Sequence, residues 1–442
     1  MAMPVGRRAF LRGATASAVG VTAFPSLLRA QPRTIKVGMV SPVSGPMAEV
    51  GQDSKLGAQM AAEAINAAGG IKSMGGARLE LLHADSETKP DVARSEAERL
   101  INSGAQLLTG GYHSAHVASI AALAQQRRVP YIIDITAADA PTANIAKSVR
   151  EGQQKLQYVY RIFPGSAIFG RNAVRYMTEI FREAGVSPKR LVVLYSNDLF
   201  GKTQTESFQI AHKAATPGFE IVDVIPYPEN AVDLATEVSR ARSAKPDIIA
   251  PVTRPATAIL LLDELVKQRV DVMGIISPGA PGLYETRQIQ QLKERIEYVM
   301  DCTVYANYRL PATQRIAPEY LKRSGGRNFD ASAAYSYEGM LVIADVLERA
   351  ATTDPDAVVA AVKKTSFAGG VTVSTGPVVF NETGDNPNAS TAMLQILGQK
   401  PKVVWPKEAA EQRFPVTIVG LHGLLAATTL VLVFLAAAGV GS

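Results

Sequence analysis

Short apolar stretches and longer helical ones alternate along this chain in two successive series, which restricts it to α/β architectures built on parallel sheets. The first strand reads Ile35-Lys36-Val37-Gly38-Met39-Val40 and passes through Ser41-Pro42-Val43-Ser44-Gly45-Pro46 into an Ala-rich helix. On that helix Leu56, Met60 and Ala64 recur at every fourth position with Ile65 beside them, so one apolar face is ready to lie on a sheet. Gly69-Gly70 ends it, since glycine takes the left-handed cap conformation without a Cβ clash. Strands over 79–84, 106–109 and 131–133 then alternate with helices over 90–103 and 115–128. A second series opens near Tyr160, with helices over 170–184, 203–214, 232–241 and 256–268 separated by strands over 191–195, 219–224, 247–250 and 272–276. Right-handed crossovers between parallel strands follow, and two series imply two lobes.

The rest of the chain is too poor in sheet to make a third lobe. After 298–305 come helices over 333–350 and 355–365, then Gly-rich strands over 370–380 and 393–397. These return to complete the first two lobes. The expected fold is α/β with two lobes, each a parallel sheet flanked by helices, joined by a multi-strand hinge. Lobe 1 takes 35–160 plus 303–368, and lobe 2 takes 161–300 plus 370–405. Crossings near 160–163, 301–304 and 370–373 permit closure around a ligand held at the carboxyl edges of the strands.

The two ends of the sequence are of a different character. Gly6-Arg7-Arg8-Ala9-Phe10-Leu11-Arg12, an apolar run over 14–28 and Ala30 form a twin-arginine signal peptide over 1–30, which places the mature protein in the periplasm. Four arginines and no acid lie in that segment, so most of the formal +6 charge leaves with it. The remainder has too little net charge to imply a nucleic-acid partner. Cys302 is the sole cysteine, so no internal disulfide forms and the fold rests on its core. From Phe414 to Ser442 there is no Asp, Glu, Lys or Arg. As a helix, 415–440 spans about 39 Å against a bilayer core of about 30 Å. Two readings fit this tail: an inner-membrane anchor, or an aberrant extension, since Lys407 and Arg413 lie on the exported side.

The stretch 35–407 resembles the leucine/isoleucine/valine-type periplasmic binding proteins that feed ABC importers. The resemblance rests on Ser44-Gly45-Pro46, Gly51, Glu63-Ala64-Ile65-Asn66-Ala67-Ala68-Gly69-Gly70-Ile71 and Gly110-Gly111-Tyr112-His113-Ser114. Val129-Pro130, Asn197-Asp198-Leu199-Phe200-Gly201, Lys245-Pro246-Asp247 and Asn381-Glu382-Thr383-Gly384-Asp385 extend it in the same order. It implies a binding protein rather than an enzyme, with no cofactor and no metal. The implied partners are a small organic acid, amide or amino-acid-like solute and the permease subunits of an importer. A sensor that presents its solute to a membrane receptor would need the same cleft.

Residue types and likeness together mark out a site. Tyr112, His113 and Ser114 lie between a strand and a helix, where backbone N–H groups favour an anionic oxygen. By resemblance Ser114 holds a ligand carboxylate, with Thr136, Ala137 and Ala138 completing the cradle; Ser114 as a plain N-cap is the alternative. Val50, expected in the loop after the first strand, shapes the apolar part of the pocket, and Phe200 covers the ligand on closure. Thr253 or Arg254 faces the cleft, Arg254 being suited to bidentate pairing with a carboxylate. One position departs from the pattern: relatives that bind α-amino acids carry a carboxylate where this chain has Gly279. An ammonium buried there without a counter-charge would cost several kcal/mol. A carboxylate without an ammonium, or a neutral amide, fits better than leucine or valine.

Enzyme signatures are weak. His113 and His116 have no third metal ligand evident from spacing, and Gly201-Lys202-Thr203 lacks the upstream Gly of a phosphate loop, which here is Ser196. Neither a Gly-x-Ser-x-Gly elbow nor a His-Glu-x-x-His motif occurs.

Overall fold

A computed structural model describes residues 33–411. The twin-arginine segment and the apolar tail lie outside these described residues. The first sheet is built from β1 (Thr34–Ser41), β2 (Arg78–Asp85), β3 (Leu107–Gly110), β4 (Tyr131–Ile133) and β5 (Val159–Arg161). Its order is β2-β1-β3-β4-β5, parallel throughout, with Thr34 opposite Arg78 and Val37 opposite Leu107. Helices α1 (Ala48–Ala67), α2 (Pro90–Asn102), α3 (Ser114–Arg127) and α4 (Ala140–Arg150) make the connections. Because helices cover both faces, Ile35, Val37, Met39 and Val40 are all buried instead of alternating with exposed residues.

The second sheet is formed by β6 (Arg190–Ser196), β7 (Glu220–Tyr227), β8 (Ile248–Val252), β9 (Gly274–Ser277) and β10 (Met300–Thr303). Between and before these strands run α5 (Ser166–Ala184), α6 (Leu199–Ala215), α7 (Ala235–Ser243), α8 (Pro255–Lys267) and α9 (Thr286–Leu292). After β10 the chain forms α10 (Pro311–Arg323), α11 (Ala331–Ala350) and α12 (Pro355–Val362), and α11 packs along α1 of the first lobe. It then returns to the second sheet as β11 (Ala392–Ile396) and β12 (Pro401–Trp405). The order is β12-β11-β10-β9-β8-β6-β7. Here the expectation of a purely parallel sheet needs correction, because β11 runs antiparallel to β10 and β12 antiparallel to β11.

The Gly-rich stretch 370–380 is likewise not a strand. It makes only single bridges, Ala306 with Thr372, Phe367 with Val378 and Ser374 with Ala389. The reason lies in α11, where one oxygen of the buried Glu338 accepts the N–H groups of Val371 at 2.7 Å and Thr372 at 3.0 Å. Donors that would have joined a ladder are spent on a side chain. Helix starts also differ from the spacing-based reading. Asp198 Oδ1 accepts the Gly201 N–H at 2.7 Å and caps α6 at Leu199, four residues before the expected start. Helices α4, α9 and α10 were not anticipated from the sequence.

Candidate functional site

Residues at or near the starts of five helices line one cleft: Tyr112 before α3, Phe169 in α5, Phe200 in α6, Arg254 before α8, and Ala331 with Ser332 in α11. Several of these ends are capped by side chains, at Asp198, His113 and Asp330, but each helix start keeps a partial positive charge that favours anionic oxygen over a cation. Its empty space is about 500 Å3, including the part open to solvent. Tyr112, Phe163, Phe169, Phe200 and Tyr284 supply an aromatic wall from both lobes. Phe163 and Phe169 lie 5.9 Å apart, ring centre to ring centre, so the wall is continuous across the first crossing. Gly279, Ala280 and Pro281 form a small-residue floor, and Thr136, Thr303, Ser332 and Arg254 add the polar lining.

Local backbone geometry sets the Tyr112 ring. Gly110, Gly111 and Tyr112 all have positive φ, at 89°, 145° and 88°. For Tyr112 that is a strained conformation, fixed by its N–H donating to Ile135 O at 2.8 Å. The Tyr112 hydroxyl is buried and has no hydrogen-bond partner among the described residues. It is therefore free to serve a ligand. Burial raises the Tyr112 pKa above its ordinary value, with Glu285 adding to the effect, so the phenol stays a donor.

Of the residues expected at the site, Tyr112, Thr136, Ala137, Phe200, Arg254 and Gly279 line the cleft, whereas Val50, His113, Ser114, Ala138 and Thr253 do not. Val50 lies in α1 and not in a loop, buried against the core. Ser114 is the first residue of α3 and sits behind the wall, its Oγ 3.2 Å from Thr136 Oγ1. The cap of α3 is instead His113, whose Nδ1 accepts the Ala115 N–H at 3.3 Å. Nε2 then carries the proton and donates to Glu229 Oε1 at 2.9 Å, linking the first lobe to the second. Thr253 donates to Pro281 O at 3.0 Å and stiffens the floor.

Arg254 lines the cleft as expected and also carries an internal ion pair. Its Nε donates to Asp198 Oδ2 at 2.7 Å, Nη2 lies 2.6 Å from the same oxygen, and Glu229 Oε1 is 3.7 Å away. The guanidinium also stacks on Phe200, 4.5 Å from the ring centre. Its charge is matched inside the protein, while its buried Nη2 has no hydrogen-bond partner of good geometry among the described residues. Burial alone would raise Glu229, but the His113 hydrogen bond and the Arg254 charge outweigh it and bring the carboxyl down to about 2. One oxygen or nitrogen from each of His113, Asp198 and Glu229 lies within 4.8 Å of the others, the separation a metal site would need. The cation in this cluster is Arg254, which already occupies the Asp198 oxygen. His116 stacks on His113 at 4.5 Å, and burial lowers its pKa to about 3.

Three buried acids, Glu285, Asp301 and Asp330, accept backbone N–H groups and do not line the cleft, and Asp301 Oδ2 has no hydrogen-bond partner among the described residues. Glu285 Oε2 accepts the N–H groups of Gly282 at 2.7 Å and Tyr284 at 3.3 Å, and burial pushes its pKa up to about 7. Asp301 Oδ1 accepts the Ala280 N–H at 3.0 Å, and burial raises it well above the carboxylate range. Asp330 caps α11 through Ser332 and Ala333 and is raised by burial in the same way. Phe163, Phe169, Tyr284 and Ser332 were not anticipated as lining residues. Only the crossing expected near 160–163 pointed toward Phe163.

Two α/β lobes meeting at a walled cleft define a solute-binding protein. A family profile described as periplasmic binding protein matches residues 34–400. The chain is 25% identical over 403 residues to Leu/Ile/Val-binding protein homolog 8 of Brucella abortus, covering 89% of this chain and 96% of that one. Its fold is similar to the branched-chain amino acid transporter substrate-binding protein of Streptococcus pneumoniae in complex with isoleucine, at TM-score 0.69 and 19% identity, covering 84% and 98% of the two chains. It is equally similar to a Rhodopseudomonas palustris solute-binding protein in complex with benzoate, at TM-score 0.69 and 20% identity, covering 83% and 94%. The chain belongs to the periplasmic binding protein family, whose members bind solutes outside the cytoplasm. Members of this family bind solutes and are not enzymes. Among the described residues no helix is long and apolar enough to cross a membrane.

Proposed function

We propose that the cleft takes a small aromatic monocarboxylate and hands it to a membrane permease. The observation that carries this reading is position 279. A Cβ on Gly279 would stand 2.5 Å from Phe169 Cδ1, 2.8 Å from Gln204 Nε2 and 2.9 Å from Cys302 O, in a backbone with φ of 120°. No acidic side chain fits there, so a ligand ammonium lacks its counter-charge. Glu285, Asp301 and Asp330 are absent from the cleft lining and do not replace it. An aromatic wall suits a planar ring, and helix starts at the cleft suit a carboxylate. Benzoate bound to a protein of similar fold supports the same class. Branched-chain amino acids, which the name of the Brucella relative suggests, lack that match at the ammonium end.

Calorimetric titration of the purified protein tests the reading: benzoate or a hydroxybenzoate binds and leucine does not, and tight leucine binding with the acids inert refutes it. The proposed machinery is a lobe of 35–160 plus 303–368 closing on a lobe of 161–300 plus 370–405. Twin-arginine export of folded protein is part of the same proposal. Arg7→Lys with Arg8→Lys then leaves the protein in the cytoplasmic fraction. The apolar tail over 415–440 has the length of an anchor, and recovery of full-length protein from a detergent-free periplasmic extract would count against one.

A further inference from the structure

Arg161 ends β5 at the first crossing between the sheets and is 1% exposed, with no part of it on the cleft surface. Its Nη1 donates to three consecutive carbonyls, Thr136 at 3.2 Å, Ala137 at 3.1 Å and Ala138 at 2.6 Å. Nη2 donates to Asp139 Oδ1 at 2.8 Å, and Nε to Asp385 Oδ1 at 2.9 Å. The Ala137 carbonyl additionally accepts the Ser166 N–H at 2.7 Å and the Ser166 hydroxyl at 2.9 Å. The peptide unit is planar and trans, so each carbonyl turned toward Arg161 turns the next residue's N–H the opposite way. Neither the Ala137 nor the Ala138 N–H has an acceptor among the described residues. Thr136 and Ala137 line the cleft, and Arg161 does not.

We infer that Arg161 is a positioning residue: it holds the backs of residues 136–138 so that the Ala137 and Ala138 N–H groups face the cleft as a cradle for one anionic oxygen. Through Asp385 the same guanidinium ties that cradle to the returning crossing, which pairs with β5 at Arg161 and Asp385. Lysine cannot substitute, because one ammonium cannot span the carbonyl row and both carboxylates in the planar arrangement of a guanidinium. This inference rests on the carboxylate reading above.

The test has an arm without ligand and an arm with it. In the free wild-type protein the Ala137 and Ala138 amides exchange with solvent deuterium far faster than those of β1, and in Arg161→Lys their rates change by about 10-fold or more while β1 is unaltered. In the second arm, Arg161→Lys lowers benzoate affinity by about 10-fold or more and the preference for benzoate over benzamide by a similar factor. Asp385→Asn shifts the preference the same way by a smaller factor and serves if the arginine variant does not fold. Amides at 137 and 138 as protected as β1 in the free protein overturn the inference. So does an equal effect of the variants on both probes, or none on either. If wild type ignores benzoate while the exchange pattern holds, the ligand class falls and the positioning role stands.

Discussion

Replacing Gly279 tests the steric argument directly. At φ of 120° a side chain is strained by about 1–3 kcal/mol. The new Cβ would also come within 2.5 Å of a Phe169 ring carbon and 2.9 Å of the Cys302 carbonyl, overpacking worth a further 1–3 kcal/mol or so. Gly279→Ala is therefore expected to destabilise by about 2–5 kcal/mol, read from the urea midpoint with the slope unchanged. Gly279→Asp costs more, because its carboxylate enters beside the backbone oxygen of Cys302 and above the buried Asp301. It restores the charge seen in amino-acid-binding relatives but gains no leucine binding. A Gly279→Ala variant within about 0.5 kcal/mol of wild type, or a stable Gly279→Asp variant that binds leucine, refutes the reasoning.

Phe200→Ala removes one aromatic wall and the ring under Arg254; loss of about 1.5–3 kcal/mol of apolar contact predicts a 10- to 100-fold weaker benzoate Kd by calorimetry. Glu285 has a folded pKa of about 7 against an ordinary 4.5. A raised carboxyl favours the folded state below about pH 4.5, and that contribution is lost as pH rises through 7, a change of about 3 kcal/mol. Glu285→Gln keeps an acceptor for the Gly282 and Tyr284 N–H groups and removes the titration. Denaturant midpoints at pH 5 and pH 8 should then differ less in the variant than in wild type, and equal differences contradict the assignment.

Much of the fold was legible in the sequence, because its strands are buried on both faces and read as apolar runs between helices with one apolar stripe. Ile35 to Val40 and Leu191 to Tyr195 needed no further information. What escaped was decided by single side chains far away in sequence. Glu338 takes the N–H groups of Val371 and Thr372, so 370–380 is not a strand. No local pattern in that segment reports a partner more than thirty residues distant. β12 was likewise hidden, since its antiparallel pairing with β11 is set by a short turn at 397–400 and not by a crossover helix.

The site was legible to the extent that backbone position decides it. Loops after parallel strands reach the cleft wherever the fold is right, which is how Tyr112, Thr136, Phe200 and Arg254 could be placed there. What each side chain does with its charge was not legible, because that depends on three-dimensional pairing. Arg254 was expected to meet a ligand carboxylate, yet Asp198 from the neighbouring strand end lies at 2.6 Å and Glu229 from the next at 3.7 Å. His113 donates to Glu229 in the same corner, so the Arg254 guanidinium there is already engaged by two carboxylates. In the proposed reading an anionic ligand end goes to the amides of residues 136–138 backed by Arg161. The same charge type thus acts at two places in opposite ways: Arg254 is neutralised beside the ligand, and Arg161 organises backbone donors from behind the wall.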